Sequence, residues 1–503
     1  MNHRLSLAVA MLIFSIGSSL GAEQKANSVS QWGITWTFSQ EHTVGQYANG
    51  DWWVLGPVTI SSISPESVTV GGWTRNGTQV NPAAIRQQGF DSSPKEFSVL
   101  TGITWTASLN QHPSFTGSPL VLGSGSVVSS ISRDRAAGRP QLDSLAILTV
   151  VKSIPAENSF RPGPSEDGNT DRVSFWNAED LDYGLLHQLT PVSEMPTLSE
   201  AAAMFERPWV EFFVDGEATY IRALQNQPGV GSEGSKAIGE GLLVLHADYT
   251  NMEKRSLYIR MVQLGIDIYS AAQSGVVWRD LSATNPGRKA PLVLAALALE
   301  DEGMAAYADA SQHFIFQEDL QTWYITEADV GRTLYTGDFR QRDPYVEADL
   351  GLAEWGDRHT SNPDRDGRNW NIPYRDICNC SLVTHALAMR LTAGAVELWN
   401  WPAFFDYHDR AFDLDQSSAG KRNYMEVWER DAWLEYREVG PVESPLSWGG
   451  YPINAEGFFN TGDWLGWFFV EQMPWLYSYS LDGWIYVKDP GAEASGVWAF
   501  VRR

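Results

Sequence analysis

The period of the hydrophobic residues changes once along this chain, and that change fixes its architecture more than any other feature. Up to about Pro155, apolar residues alternate. Gly33-Ile34-Thr35-Trp36-Thr37-Phe38 and Val68-Thr69-Val70 carry the period of half-buried strands. Leu120-Val121-Leu122, Ser126-Val127-Val128 and Ala146–Val151 read as further strands. Asn49-Gly50-Asp51 and Arg75-Asn76-Gly77 are hairpin turn signals. Residues 27–155 are therefore expected to form an antiparallel, sandwich-like β module. Residues 156–185, rich in Pro, Gly, Asp and Asn, read as a linker.

From about Thr197 the spacing is helical. Helices are expected over Leu198–Phe205, Ser235–Asp248, Met252–Ser274, Lys289–Glu300, Met304–His313 and Leu382–Ala395. The Lys289–Glu300 stretch is nearly all apolar and reads as an inner helix. Helices joined by loops carrying Trp, Arg and Tyr suggest an α/α toroid over 186–415, whose open end would be a cleft. The expected fold class is thus mainly α, a toroid behind an N-terminal β-rich module. Residues 416–503, rich in Trp, are expected to pack on the toroid.

Charge and the termini narrow the function classes. The net charge of −25 argues against nucleic acid, which requires a basic footprint. An acidic ligand is still compatible, because screening acts over about 8 Å and a local Arg cluster governs its own cleft. The 22 Trp tilt towards carbohydrate, since indoles give flat faces for sugar rings. Arg4, the apolar run Leu5–Ile16 and small residues up to Ala22 read as a signal peptide over 1–22. The chain is expected to be exported, periplasmic or extracellular, with no membrane span. The two cysteines, Cys378 and Cys380, stand too close for an unstrained disulfide and read as packing residues.

Polar and aromatic side chains concentrate between Glu354 and Arg410, on loops between helices. At Asn285-Pro286-Gly287-Arg288-Lys289, Glu318–Tyr324, Glu354–His359, Tyr374–Cys378 and Trp399–Arg410, the chain resembles bacterial secreted α/α-toroid polysaccharide lyases of the glucuronan and alginate lyase kind. The resemblance implies β-elimination on a β-1,4-linked polyuronate. Such chemistry neutralises the uronate carboxylate, removes the C5 proton and protonates the departing C4 oxygen.

In that reading Tyr374 is the acid and also a candidate base, with its phenol beside Arg375. His359 is a candidate base or carboxylate neutraliser, and His246 a second candidate, although a lone His on an apolar helix face usually satisfies a core. Asn285, Arg288, Arg368 and Asn379 are candidates for holding uronate carboxylates, and Trp355 for a sugar face. For Arg288 a salt bridge is the equal alternative, because a cation at a helix N-terminus opposes the macrodipole. No metal or other cofactor is expected; Asp364 and Asp366 resemble only part of a calcium loop. The expected partner is an acidic polysaccharide, and the expected state a monomer or small homo-oligomer. Two alternatives stay open. A glycoside hydrolase would use a carboxylate pair such as Glu318, Asp319, Glu354 or Asp376. A non-catalytic sugar binder would expose Trp on its β module.

Overall fold

The computed structural model describes residues 24–93, 103–134, 140–209, 211, 221–227, 229, 231–279, 285–331, 344–356, 373–415 and 425–442, and the short strands beyond; at 373–379 and at most positions past 447 the description is of backbone only. The signal-peptide segment lies outside it. The chain divides into two compact units between Glu179 and Asp180.

In the first unit, strands β1 (Gln24–Gln31), β2 (Ile34–Gln46), β3 (Trp52–Leu55), β4 (Val58–Ser64), β5 (Thr78–Val80), β6 (Leu120–Leu122), β7 (Gly125–Ser132) and β8 (Leu142–Val151) form one curled sheet. Its order is β6-β4-β2-β3-β8-β7-β5, with β1 added on β2. Ile34, Trp36 and Phe38 alternate inward with Val44, Ile60, Val127 and Leu148 to make its core. The Asn49-Gly50-Asp51 signal is the β2–β3 turn, with Gln46 opposite Trp52. Two pairings depart from the antiparallel expectation: β3 runs parallel to β8, Trp52 opposite Leu148, and outside this sheet the short segments Gln87–Gln88 and Thr104–Trp105 also pair in parallel.

The Pro- and Gly-rich stretch belongs to this unit up to Glu179. Two buried arginines tie it down. Arg161 Nε donates to Asp51 Oδ2 at 2.6 Å, and Arg172 Nη2 donates to Asn81 Oδ1 at 2.7 Å.

The second unit carries helices α1 (Leu198–Met204), α2 (Ser232–Val244), α3 (Asn251–Gln273), α4 (Lys289–Ala298), α5 (Glu302–Ala308), α6 (Pro373–Leu391), α7 (Pro402–Asp415) and α8 (Val427–Tyr436). Thr197 and Thr250 start α1 and α3 with capping boxes closed by Glu200 and Glu253. α4 is buried along almost its whole length, as its composition predicts. It lies so close to α3 that a Cβ on Gly265 would stand 2.3 Å from the Pro291 carbonyl oxygen.

Strands interrupt the helices. β9 (Thr322–Tyr324) pairs with β10 (Ala353–Trp355). The C-terminal region forms a five-stranded antiparallel sheet, β11 (Phe458–Asn460), β12 (Trp467–Gln472), β13 (Trp475–Ser478), β14 (Gly483–Val487) and β15 (Ala499–Arg502), in chain order. The expectation of a mainly α chain built on an α/α toroid is therefore corrected. The protein is 33% helix and 25% strand, and its first unit is built on the curled β sheet rather than on helices. The C-terminal strands escape a period-2 reading because both of their faces are apolar. In Trp467-Phe468-Phe469-Val470, for example, no polar residue marks the alternation.

Candidate functional site

Segments far apart in sequence meet around the turn that leads into α4. Gly287 sits at φ +90°, and a Cβ there would be 2.8 Å from Ser235 Cα and 3.0 Å from His385 Cε1. A glycine is needed on both counts. The tight turn brings Arg288 and Lys289 into the interior, and each meets an acid.

Arg288 is 2% exposed, and its Nε and Nη2 donate to Glu211 Oε1 at 3.1 and 2.8 Å. The other Glu211 oxygen accepts from Trp278 Nε1 at 3.0 Å. Arg288 Nη1 donates to the Pro286 carbonyl at 2.8 Å. Lys289 is fully buried; its Nζ lies 2.6 Å from Asp319 Oδ2, donates to the Trp399 carbonyl at 3.0 Å, and stands 4.8 Å from the centre of the Trp399 ring. Trp399 Nε1 donates to the second Asp319 oxygen at 2.8 Å. Burial works against charge on both partners, raising the Asp319 carboxyl and lowering the Lys289 ammonium, while their mutual attraction opposes it.

Glu318 completes the centre. Its Oε1 accepts from the backbone N–H of Gly287 at 2.7 Å and of Lys289 at 3.2 Å, and its Oε2 has no hydrogen-bond partner. Burial lifts this carboxyl to about 7, against the pull of those amides, so it holds a proton for part of the time at neutral pH. His385, on α6, donates from Nε2 to the Ser235 carbonyl at 2.6 Å; burial lowers its imidazole to about 4, which keeps it neutral.

A line of amides extends the centre towards β10. The Asn285 N–H donates to Gln317 Oε1 at 3.0 Å, Gln317 Nε2 to Gln321 Oε1 at 2.6 Å, and the Gly356 N–H to the Gln321 carbonyl at 2.6 Å.

The predicted residues fall into two sets. Asn285, Arg288, His246 and Trp355 are buried and committed to the fold. The Asn285 amide group donates to the Arg279 carbonyl at 2.9 Å. For Arg288 the buried salt bridge, rather than a substrate carboxylate, is the partner found. His246 accepts at Nδ1 from the His187 N–H and meets Thr392 Oγ1 through Nε2 at 3.1 Å, and burial holds its imidazole well below the ordinary range. Trp355 is 1% exposed and packs with Ala353, Tyr407 and Ala411. The second set is Tyr374, Arg375 and Asn379. They occupy the first two turns of α6, whose backbone alone is described there. His359, Arg368, Asp364 and Asp366 lie outside the described residues.

Sequence reasoning missed Glu211, which stands 77 residues from Arg288 in no recognisable motif. The demand that a buried guanidinium find a carboxylate was its only signal. Among the described residues, no three His, Cys, Asp or Glu side chains are grouped to hold a metal ion. An open groove of about 660 Å³ between α1 and α3, lined by Leu198, Tyr249 and Arg260 among others, includes none of the predicted residues.

Comparisons with family models, with curated proteins and with solved structures return no match to this chain. Among the described residues no helix is long and apolar enough to cross a membrane.

Proposed function

We propose that the protein is an exported polysaccharide lyase that cleaves a β-1,4-linked polyuronate, glucuronan or alginate, by β-elimination. One observation carries the reading. The segments that resemble such lyases, distant in sequence, meet at a single rigid buried centre. Glu318 accepts from the Gly287 turn, Asp319 joins Lys289 to Trp399, and Gln321 joins Gly356. α6 grips this centre at Ser381 and His385, through Ser235, and its preceding two turns carry positions 374, 375 and 379.

In this reading the ion pairs hold the frame and α6 presents the chemistry. Tyr374 or His359 takes the C5 proton, and the electron pair forms the C4–C5 double bond. The C4–oxygen bond breaks, and Tyr374 protonates the departing oxygen. Arg375, Arg368 and Asn379 neutralise the uronate carboxylate, so that negative charge can develop next to it.

The alternatives have less support. Glu318, Asp319 and Glu354 are each 1% exposed or less, and Asp319 and Glu354 lie against Lys289 and Arg410. A glycosidase pair drawn from them would have no access to a sugar. No indole of the first unit is exposed among the described residues, which weighs against a sugar-binding face there.

The test is ultraviolet absorbance during incubation with glucuronan, alginate and a neutral glucan. Elimination leaves a double bond conjugated to the carboxylate, which hydrolysis cannot produce. Absorbance should rise with one polyuronate, and Tyr374→Phe should abolish the rise. A flat trace with new reducing ends would sink the lyase reading.

A further inference from the structure

The Pro- and Gly-rich stretch after β8 straps one face of the first unit's sheet. The Ala48 N–H, in the β2–β3 turn, donates to the Ser159 carbonyl at 2.9 Å, and the Glu166 N–H donates to the Pro82 carbonyl, just past β5, at 3.0 Å. In the sheet order, β3, β8 and β7 lie between those two anchor points. Phe160, Arg161 and Ser165 of the strap are 0%, 0% and 1% exposed. Val127, Leu148 and Val150 point into the apolar core on the opposite face. Alternation therefore turns Ser126 and Thr149 to the strap side.

Four polar atoms on this side are buried without a hydrogen-bond partner: the Tyr47 hydroxyl, Ser126 Oγ, Thr149 Oγ1 and Arg172 Nε. Their residues are 1%, 0%, 0% and 2% exposed. They are neighbours. Ser126 and Thr149 are directly opposed on β7 and β8, which sets their Cβ atoms about 4.5–5.5 Å apart. Asn81 Oδ1 accepts from the Ser126 N–H and from Arg172 Nη2, each at 2.7 Å, and so joins Arg172 to the same strand. The Thr149 hydroxyl is near enough to Tyr47 to favour its ionised form, and the Arg172 charge acts on the same phenol. Burial outweighs both and raises the phenol above its ordinary range, so it stays a neutral donor. Buried polar groups left without partners are costly, and four together call for a common one.

Their chemistry selects that partner. The Arg172 N–H only donates, and each hydroxyl can donate. The nearest carboxylate is spent: Asp51 Oδ1 accepts from Gln31 Nε2, and Oδ2 from Arg161 Nε and Asn49 Nδ2. Asp167 Oδ1 meets Arg172 Nη1 at 3.3 Å, and Glu166 is exposed. At the Tyr47 hydroxyl two guanidiniums, Arg161 and Arg172, act against the one carboxylate of Asp51. A cation would be repelled there, and a water molecule would accept from only two of the four donors. A one-atom anion accepts from all four at once, whereas an oxyanion would bring further oxygens that need partners of their own.

We propose that Tyr47, Ser126, Thr149 and Arg172 bind one halide ion of the chloride class, which fastens the strap to the sheet. The site is independent of the lyase reading.

The test uses the full chain, dialysed to equilibrium against radiolabelled chloride, with gluconate holding the ionic strength constant. Wild type should retain one chloride per chain, saturably, and its Tm should rise with chloride along the same curve. Tyr47→Phe and Thr149→Val each remove one hydroxyl with little change of shape. Each should weaken retention about tenfold or more, the effect of one hydrogen bond to a charged group, and flatten the Tm response. Where either fails to fold by circular dichroism, Ser126→Ala, the smallest change, takes its place.

Wild type that retains no chloride, with a Tm indifferent to it, overturns the proposal without any variant and leaves water as the partner of these atoms. Retention that the folded variants leave unchanged puts the ion elsewhere in the molecule and overturns it too.

Discussion

Replacing Glu318 with Gln isolates one buried proton. In the folded protein burial lifts this carboxyl from 4.5 to about 7. A carboxyl that binds its proton more tightly folded than unfolded stabilises the fold while the proton is on. Below 4.5 both states are protonated and the full contribution is present. As pH rises from 4.5 to about 7 the unfolded chain releases its proton first, so stability falls, and above that the contribution is gone. At 1.36 kcal/mol per pH unit the change across the window is roughly 3 kcal/mol. Gln keeps an oxygen that can accept from the Gly287 and Lys289 N–H groups, and it does not titrate. Urea unfolding of the full-length wild type and Glu318→Gln, followed by Trp fluorescence across that pH range, measures the difference. Glu429, also raised to about 7 by burial, is common to both proteins and cancels. The variant should gain on wild type by about 3 kcal/mol as pH rises through the window. Parallel stability curves would refute the buried-proton argument.

Other perturbations bear on the same centre. Lys289→Met strands the Asp319 carboxylate beside Trp399 and should cost about 3–5 kcal/mol in urea unfolding, with Lys289→Met/Asp319→Asn recovering part of the loss; a double variant no better than the single would deny the coupling. Gly287→Ala combines a left-handed backbone with a Cβ 2.8 Å from Ser235 Cα and should cost at least about 1–2 kcal/mol, seen as a lower Tm. An unchanged Tm would mean that the turn can relax.

Local signals carried far in this sequence, and long-range ones did not. The α3 and α4 helices were legible to within a residue or two, because Thr250 caps one and an apolar run defines the other. α6 begins at Pro373, two turns before the expected Leu382, because the polar residues of those turns mask its helical period. The turn at Asn49-Gly50-Asp51 was legible, but the parallel partner of β3 was not, since pairing across such a separation leaves no local mark. The C-terminal sheet stayed hidden behind its two apolar faces. At the centre, the motif residues were visible as a set, but the partners of Arg288 and Lys289 were not. A buried cation shows in sequence only as a charge, and its carboxylate can stand anywhere in the chain.

The parallel pairing of β3 with β8 also orders events in time. β3 lies between β2, which precedes it directly, and β8, the last strand of its sheet to be synthesised. Until residue 151 is available, Trp52–Leu55 is an uncovered edge with its backbone donors and acceptors unpaired. The first half of the unit is thus a half-sheet whose edge is covered only by the strand at the unit's far end, a contact of high sequence separation. Any truncation between β4 and β8 would leave that edge open permanently, a template for pairing with another chain.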